Sequence, residues 1–169
     1  RPTGRVEIGP LLVGVAAALR PQAEERAVEV ALEVPPGLPE VRGDSDQLTQ
    51  VFTNLLENAL KYGASGGRIA VAAADIGRDA ALRCAAVRVD VTDFGEGFDP
   101  VHIPRLTERF YRIDSHRSRA EGGTGLGLAI VKHIVGRHRG RLAIDSAPGR
   151  GARFSVILPQ VEVGRGETG

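Results

Sequence analysis

The chain has 169 residues, 42% hydrophobic and 25% charged, the make-up of one globular domain with a real core, which excludes disorder throughout. Its 22 basic and 21 acidic residues leave a net charge of +1, and two Tyr, five Phe and no Trp give little surface for stacking, so composition offers no case for nucleic acid as a partner. One cysteine, Cys84, excludes an internal disulfide, and no apolar run approaches the ~20 residues needed to cross a bilayer.

In chain order, the apolar spacing of "VEIGPLLVGVAAALR" predicts a helix that breaks around "RPQAEER", and the alternation in "AVEVALEV" predicts a half-exposed strand. "PPGLPEVRGD" is turn-rich and holds a short strand. In "DSDQLTQVFTNLLENALKYG", Leu48, Val51, Phe52, Leu55, Leu56, Ala59 and Leu60 repeat at helical spacing, giving one buried stripe; Asp44 or Ser45 caps its start and Gly63 ends it. "GRIAVAAADI" and "ALRCAAVRVDVTD" read as strands joined by a hairpin-like turn in "GRDA", with Cys84 a plain buried thiol. Residues 98 to 123 read as a long mobile loop with one or two short helical turns. "TGLGLAIVKHIVGRHRG" predicts a helix, deeply packed because its first half is apolar almost all round. "RLAIDSAP" and "GARFSVILP" close the fold as a strand pair, and 160–169 reads as a frayed tail. The expected architecture is an α/β two-layer sandwich over residues 1–159. With no Met at all and no signal-peptide pattern, the chain is expected to be a soluble piece cut from a longer protein.

The stretch "DFGEGFDP" shares Asp-Phe-Gly with eukaryotic-type protein kinases, but a magnesium-binding Asp of that kind needs a Gly-rich loop, a strand lysine and an H-R-D loop upstream. None is present. Four other constellations carry chemistry. Asn54, Asn58 and Lys61 share one helix face, where amide oxygens suit Mg²⁺ and an ammonium suits phosphate; spacing alone favours an idle polar face. Asp93 ends a strand and can accept from the exocyclic amine of adenine, while Gly95 and Gly97 allow close approach to a planar ligand; alone this is a β-turn with an acidic start. "GGTGLGLAIVKHI" runs glycines into a helix N-terminus, a phosphate-binding arrangement that matches neither the dinucleotide fingerprint nor the Walker loop. "RLTERFYRIDSHRSR" sets Arg105, Arg109, Arg112, Arg117 and Arg119 around Phe110 and Tyr111, which fits a polyphosphate lid or a solvated basic loop. In this order in one chain, the four make an ATP site.

"NLLENALKY", "DFGEG", "ERFYR" and "GGTGLGL" resemble the N, G1, F and G2 boxes of bacterial sensor histidine kinases, over roughly residues 8 to 159. The resemblance implies their catalytic and ATP-binding domain, with the Bergerat fold shared by gyrase, Hsp90 chaperones and MutL proteins: a mixed sheet of about five strands backed by three helices, and a flexible ATP lid at about 98–123. "VHIPRLTERFYRID" is similar to the phosphate-sensing subgroup. By motif, Asn58 is implied to bind Mg²⁺ with Asn54 beside it, and Lys61 and Tyr62 to face the ATP. Asp93 is implied to bind the adenine amine in a pocket shaped by Gly95 and Gly97. Arg112 is implied to reach the terminal phosphate, Tyr111 to flank the base, and Gly123, Thr124, Gly125, Leu126 and Gly127 to wrap the phosphates. Phe94 stands where Asn is common and Thr107 where an apolar aromatic is usual.

Hydrolysing relatives place a Glu general base where this chain has Asn54, and an amide cannot take that proton. Glu57 is adjacent to Asn58, turned ~100° away on the helix. Slow hydrolysis is therefore expected, with the γ-phosphate kept for an external histidine. None of the four histidines has the acceptor's H-[ED]-x-x-x-P-like context: His133 and His138 read as structural or surface residues, and His102 and His116 as lid residues. The implied whole is a membrane-anchored homodimer with this domain in the cytoplasm, inactive without a dimerisation and His-phosphotransfer domain that also serves a response regulator. The alternative is a regulatory module of the same fold that binds nucleotide without transferring phosphate. A chaperone-like or gyrase-like ATPase would need the missing Glu.

Overall fold

The computed structural model describes residues 2–111, 113 and 127–162. Its centre is a five-stranded mixed sheet in the order β2-β4-β5-β7-β6, built from β2 (Glu29–Glu33), β4 (Arg68–Asp79), β5 (Cys84–Asp93), β6 (Arg141–Ser146) and β7 (Ala152–Pro159). Only β2 and β4 run parallel; the other pairings are antiparallel. A two-stranded ribbon, β1 (Arg5–Val6) with β3 (Val41–Arg42), flanks it; β1 carries no periodic signal long enough to predict. The helices are α1 (Ile8–Ala18), α2 (Arg20–Glu25), α3 (Ser45–Tyr62) and α4 (Gly127–Arg137). This is the expected two-layer sandwich.

Helix α3 forms as its pattern dictates. The Asp44 carboxylate caps it by accepting from the Gln47 N–H at 2.9 Å, Asp46 lies in the first turn and Lys61 in the last, both favourable to the helix dipole. All seven stripe residues are buried. Each such Leu, Val or Phe contributes roughly 1.5–3 kcal/mol on leaving water. The stripe packs on the inward residues of the strands, Val87, Val89 and Val91 of β5 among them, while Arg88 and Asp90 alternate to the other face. There the pairs Arg88–Asp90, Arg68–Glu33 and Arg153–Asp145 bridge neighbouring polar residues.

The other long helix, α4, contacts α3 along its length and buries Val131, Ile134 and Val135. It is less deeply packed than expected, since Leu128 and Ala129 are half-buried and Ile130 is exposed: an apolar first half here does not mean a covered one. His138, at its end, is buried and structural. Its Nε2 accepts from the Asp44 N–H at 3.0 Å, which leaves Nδ1 to donate to Ile134 O at 2.9 Å. One neutral imidazole thereby ties the end of α4 to the start of α3.

Four local expectations are corrected. "RPQAEER" is not a simple break: Leu19 interrupts the helix, and α2 restarts at once with Pro21 in its first turn, where a missing N–H costs nothing. "GRDA" is not the hairpin turn, because β4 continues through Asp79 after a bulge between Asp75 and Gly77. The turn is Ala80–Arg83, closed by the Arg83 N–H on Asp79 O at 2.8 Å, with Arg83 left-handed. Cys84 begins β5 and is half-buried, not buried. Gln160 and Val161 are not frayed: the Gln160 N–H donates to Ala85 O, its side chain to Asp75 and Ala86 O, and the Val161 N–H to Glu40 O.

Candidate nucleotide site

The C-terminal half of α3 and the C-terminal end of β5 converge. Asn54, Asn58, Lys61 and Tyr62 are all half-buried along α3. The Asn54 amide donates to Gly127 O at 3.4 Å, so the first turn of α4 lies against this face. Among the described residues no cluster of three His, Cys, Asp or Glu could hold a metal. A cation here would be held by amide, phosphate and water oxygens.

Asp93, the last residue of β5, is 5% exposed. Its carboxyl sits directly on the backbone of Gly63: a Cβ on Gly63 would lie 2.2 Å from the Asp93 Cγ and 2.6 Å from Oδ1. Gly95 packs on the same point, since its Cβ would lie 2.7 Å from the Gly63 Cα. Gly63 is therefore more than the expected helix terminator. Its φ of −113° suits any residue; what demands glycine is the carboxylate against it. Burial raises the Asp93 pKa above its ordinary value, while the backbone N–H groups of Gly95, at 3.0 Å from Oδ1, and of Ala152 pull it the other way. A desolvated carboxylate is a strong acceptor for a neutral N–H donor, and the amine of adenine is one.

Beyond Asp93 the chain turns outward. Phe94 is 47% exposed, with the Arg68 guanidinium 5.4 Å above its ring. Gly97 adopts a left-handed φ of +67° where a Cβ would strike Ala147 O. The Phe98 N–H donates to Ser146 Oγ, and the Asp99 carboxylate accepts from the Val101 N–H to start a 3-10 turn over Pro100–Arg105. Leu106 is buried. The Tyr111 hydroxyl lies 2.6 Å from Nδ1 of His102, and the Arg105 guanidinium, paired with Glu108, sits 4.7 Å over the Tyr111 ring. Tyr111, expected beside the base, is bound into this short folded segment. Phe110, just before it, is exposed and left-handed at φ +65°.

The structure places Asn54, Asn58, Lys61 and Tyr62 along the C-terminal half of α3, with Gly127 against Asn54 and with Asp93 and Gly95 packed on Gly63 at the helix end, while Gly97 packs on the β6–β7 turn. Arg112, Gly123, Thr124, Gly125 and Leu126 lie outside the described residues, as do Arg117, Arg119 and His116. Sequence reasoning missed Gly63 as the seat of Asp93, and it missed the β6–β7 turn. That turn had a signal: Ser146, Gly149 and Gly151 in "DSAPGRGA" form a glycine-rich loop after a strand.

A family model described as "Histidine kinase-, DNA gyrase B-, and HSP90-like ATPase" matches residues 43–162. The chain belongs to this family. It is 39% identical over 164 residues to the phosphate regulon sensor protein PhoR of Pseudomonas aeruginosa, covering 96% of this chain and 35% of that protein. Full-length ShkA, solved in complex with AMPPNP, superposes with a TM-score of 0.79 at 31% identity, over 95% of this chain and 31% of ShkA. The mycobacterial sensor histidine kinase MprB gives 0.77 at 28% identity, over 95% of this chain and 99% of that one. The fold is that of histidine kinase catalytic domains, and the chain is an ATP-binding ATPase-family domain of the sensor-kinase type. It spans about a third of the length of the curated relatives it matches.

Proposed function

We propose that this domain binds Mg-ATP and donates the γ-phosphoryl group to a histidine on a separate dimerisation and phosphotransfer domain, as the donor half of a two-component sensor kinase. The observation that carries the reading is the seating of the Asp93 carboxylate on the end of the helix that bears Asn58 and Lys61. A purine held at Asp93 has its phosphates directed along that helix.

In this reading Asp93, seated on Gly63, accepts from the adenine amine, with Gly95 and Gly97 shaping the pocket. Asn58 would hold Mg²⁺ by its amide oxygen beside phosphate and water oxygens, and the ion would supply charge neutralisation. Lys61, Arg112 and Tyr62 flank the nucleotide, Tyr111 closes near the base, and Gly123 to Gly127 wrap the phosphates. Asn54 lacks a carboxylate and cannot take a proton from water, which preserves the γ-phosphoryl for transfer. On transfer the bond to the β-phosphate oxygen breaks, a P–N bond to imidazole forms, and ADP leaves.

The intact protein is proposed to be a membrane-anchored homodimer with this domain in the cytoplasm, its phosphohistidine serving a response regulator, and this domain alone to phosphorylate nothing. Labelled ATP with a separately prepared phosphotransfer domain tests this. Label retained on histidine is expected. Tight binding without transfer would point to a regulatory nucleotide module instead, and rapid phosphate release by this domain alone would contradict the role given to Asn54.

A further inference from the structure

The β6–β7 turn, from Ser146 to Ala152, wraps the segment that follows Asp93. Ser146 is 6% exposed, and its hydroxyl makes two hydrogen bonds: it accepts from the Phe98 N–H at 3.0 Å and donates to Gly151 O at 2.7 Å. Gly151, left-handed at φ +68°, lies so close to Asp93 that a Cβ would stand 2.1 Å from the Asp93 carbonyl oxygen. The Gly149 N–H reaches back to Glu96 O at 2.6 Å. The carbonyl of Gly151 and the N–H of Ala152 belong to one planar peptide unit, so holding the oxygen aims the N–H on the opposite side. Ala152 is paired with Asp93 across β5 and β7, so this peptide unit lies directly against Asp93.

We infer that Ser146 is a positioning residue for nucleotide selection. It links the first residues of the lid, through Phe98, to the purine-binding carboxylate, through the Gly151–Ala152 peptide. The path runs from the Phe98 N–H to the Ser146 hydroxyl, then to Gly151 O, and on through the packing of Gly151 and the pairing of Ala152 against Asp93. Each bond polarises the next in a water-poor setting, so the chain orients as a unit. Removing the hydroxyl takes the bond from a part-buried N–H and a buried C=O and loosens the peptide. Asp93 would then keep its burial and its Gly95 bond but lose its fixed aim, so it would tell adenine's amine from guanine's carbonyl less well. The inference rests on the reading of Asp93 given above.

The test compares Ser146→Ala with Ser155→Ala in this chain. Ser155 is equally buried, at 2% exposed, and is bonded to Asp90 and Arg88 on the far face of the sheet, so its loss controls for the structural effect of deleting a buried serine. Ser146→Ala is expected to lower the ATP-over-GTP affinity ratio at least ~5-fold, from loss of one buried hydrogen bond's orienting effect, and to speed amide exchange at Phe98 by ~10-fold, whereas Ser155→Ala moves neither. Unchanged discrimination and exchange in Ser146→Ala, with ATP still bound, overturns the inference and leaves the nucleotide reading standing. Failure of the unmodified chain to bind any adenine nucleotide overturns that reading instead, and the exchange measurement, which needs no ligand, still decides whether Ser146 holds Phe98. Should Ser146→Ala not fold, the unmodified chain suffices: ADP is expected to slow exchange at Phe98 and Ala152 together, and bound ADP with Phe98 unaffected overturns the coupling.

Discussion

Replacing Gly63 by Ala isolates the seat of the purine carboxylate from every other effect of a glycine. The backbone there is relaxed, at φ −113° and ψ 6°, so alanine meets no conformational penalty and gains slightly in an adjoining helix. What it meets is Asp93: the new methyl carbon would lie 2.2 Å from Cγ and 2.3 Å from Cβ of that side chain. A carbon–carbon contact settles at about 3.5–4.0 Å, so the carboxyl must retreat by more than ~1 Å. Such a movement breaks the 3.0 Å bond from the Gly95 N–H and swings the acceptor away from the purine. Overpacking of this kind costs about 1–3 kcal/mol of stability. The lost hydrogen bond to a charged acceptor, about 1.5–3 kcal/mol, corresponds to roughly 10- to 150-fold weaker adenine nucleotide binding. Gly67→Ala is the counterpart. Its φ is +74° and nothing stands within 4 Å of the added methyl, so it is expected to cost about 1–2 kcal/mol in backbone strain and leave binding alone. Titration calorimetry with ADP and thermal unfolding of both variants read the two effects. A folded Gly63→Ala that binds within twofold of the unmodified chain, or a Gly67→Ala that loses binding as severely, would refute the steric argument.

Three further outcomes are expected. The Asp79 carboxylate is held at a pKa of about 2 by the bidentate Arg141 guanidinium and the Leu82 N–H, below its ordinary 3.8; its contribution is therefore present above about pH 3.8 and lost as pH falls toward 2, and Asp79→Asn should flatten that part of an acid-unfolding curve. Asp93 runs the opposite way: with its pKa raised by burial, it favours the unliganded fold below the unfolded value of 3.8 and loses that contribution as pH rises through the folded value, while adenine binding, which needs the ionised form, should weaken on acidification at a higher pH than an ordinary aspartate would dictate. A parallel titration of Asp93→Asn lacking that pH dependence is the check; persistence of the same profile assigns it elsewhere. Phe52→Ala, which empties a fully buried position on α3, should cost about 3–5 kcal/mol in denaturant unfolding, and a loss under ~1 kcal/mol would contradict the packing of the stripe.

The sequence by itself determined α3, because its seven apolar positions, capping Asp44 and terminal Gly63 are all local signals with one period. It determined the alternation that buries Val87, Val89 and Val91 while turning Arg88 and Asp90 outward, and the order of motifs that marks a nucleotide site. It misplaced the β4–β5 turn, because a bulge lets a strand run through Gly77, a residue that usually signals a turn. Only the tertiary structure decided that Gly63 lies under Asp93, thirty positions on in the chain, and that Ser146 joins Phe98 to Gly151. Only it decided that one side of α4's apolar first half stays open. Periodicity reports which face of an element leaves water; it carries no record of which distant backbone that face will meet. Those meetings are set by the sheet order, where β7 lies between β5 and β6 and brings Ala152 opposite Asp93. A contact between residues so far apart becomes favourable only once the intervening chain has folded, so no short stretch of sequence has to encode it.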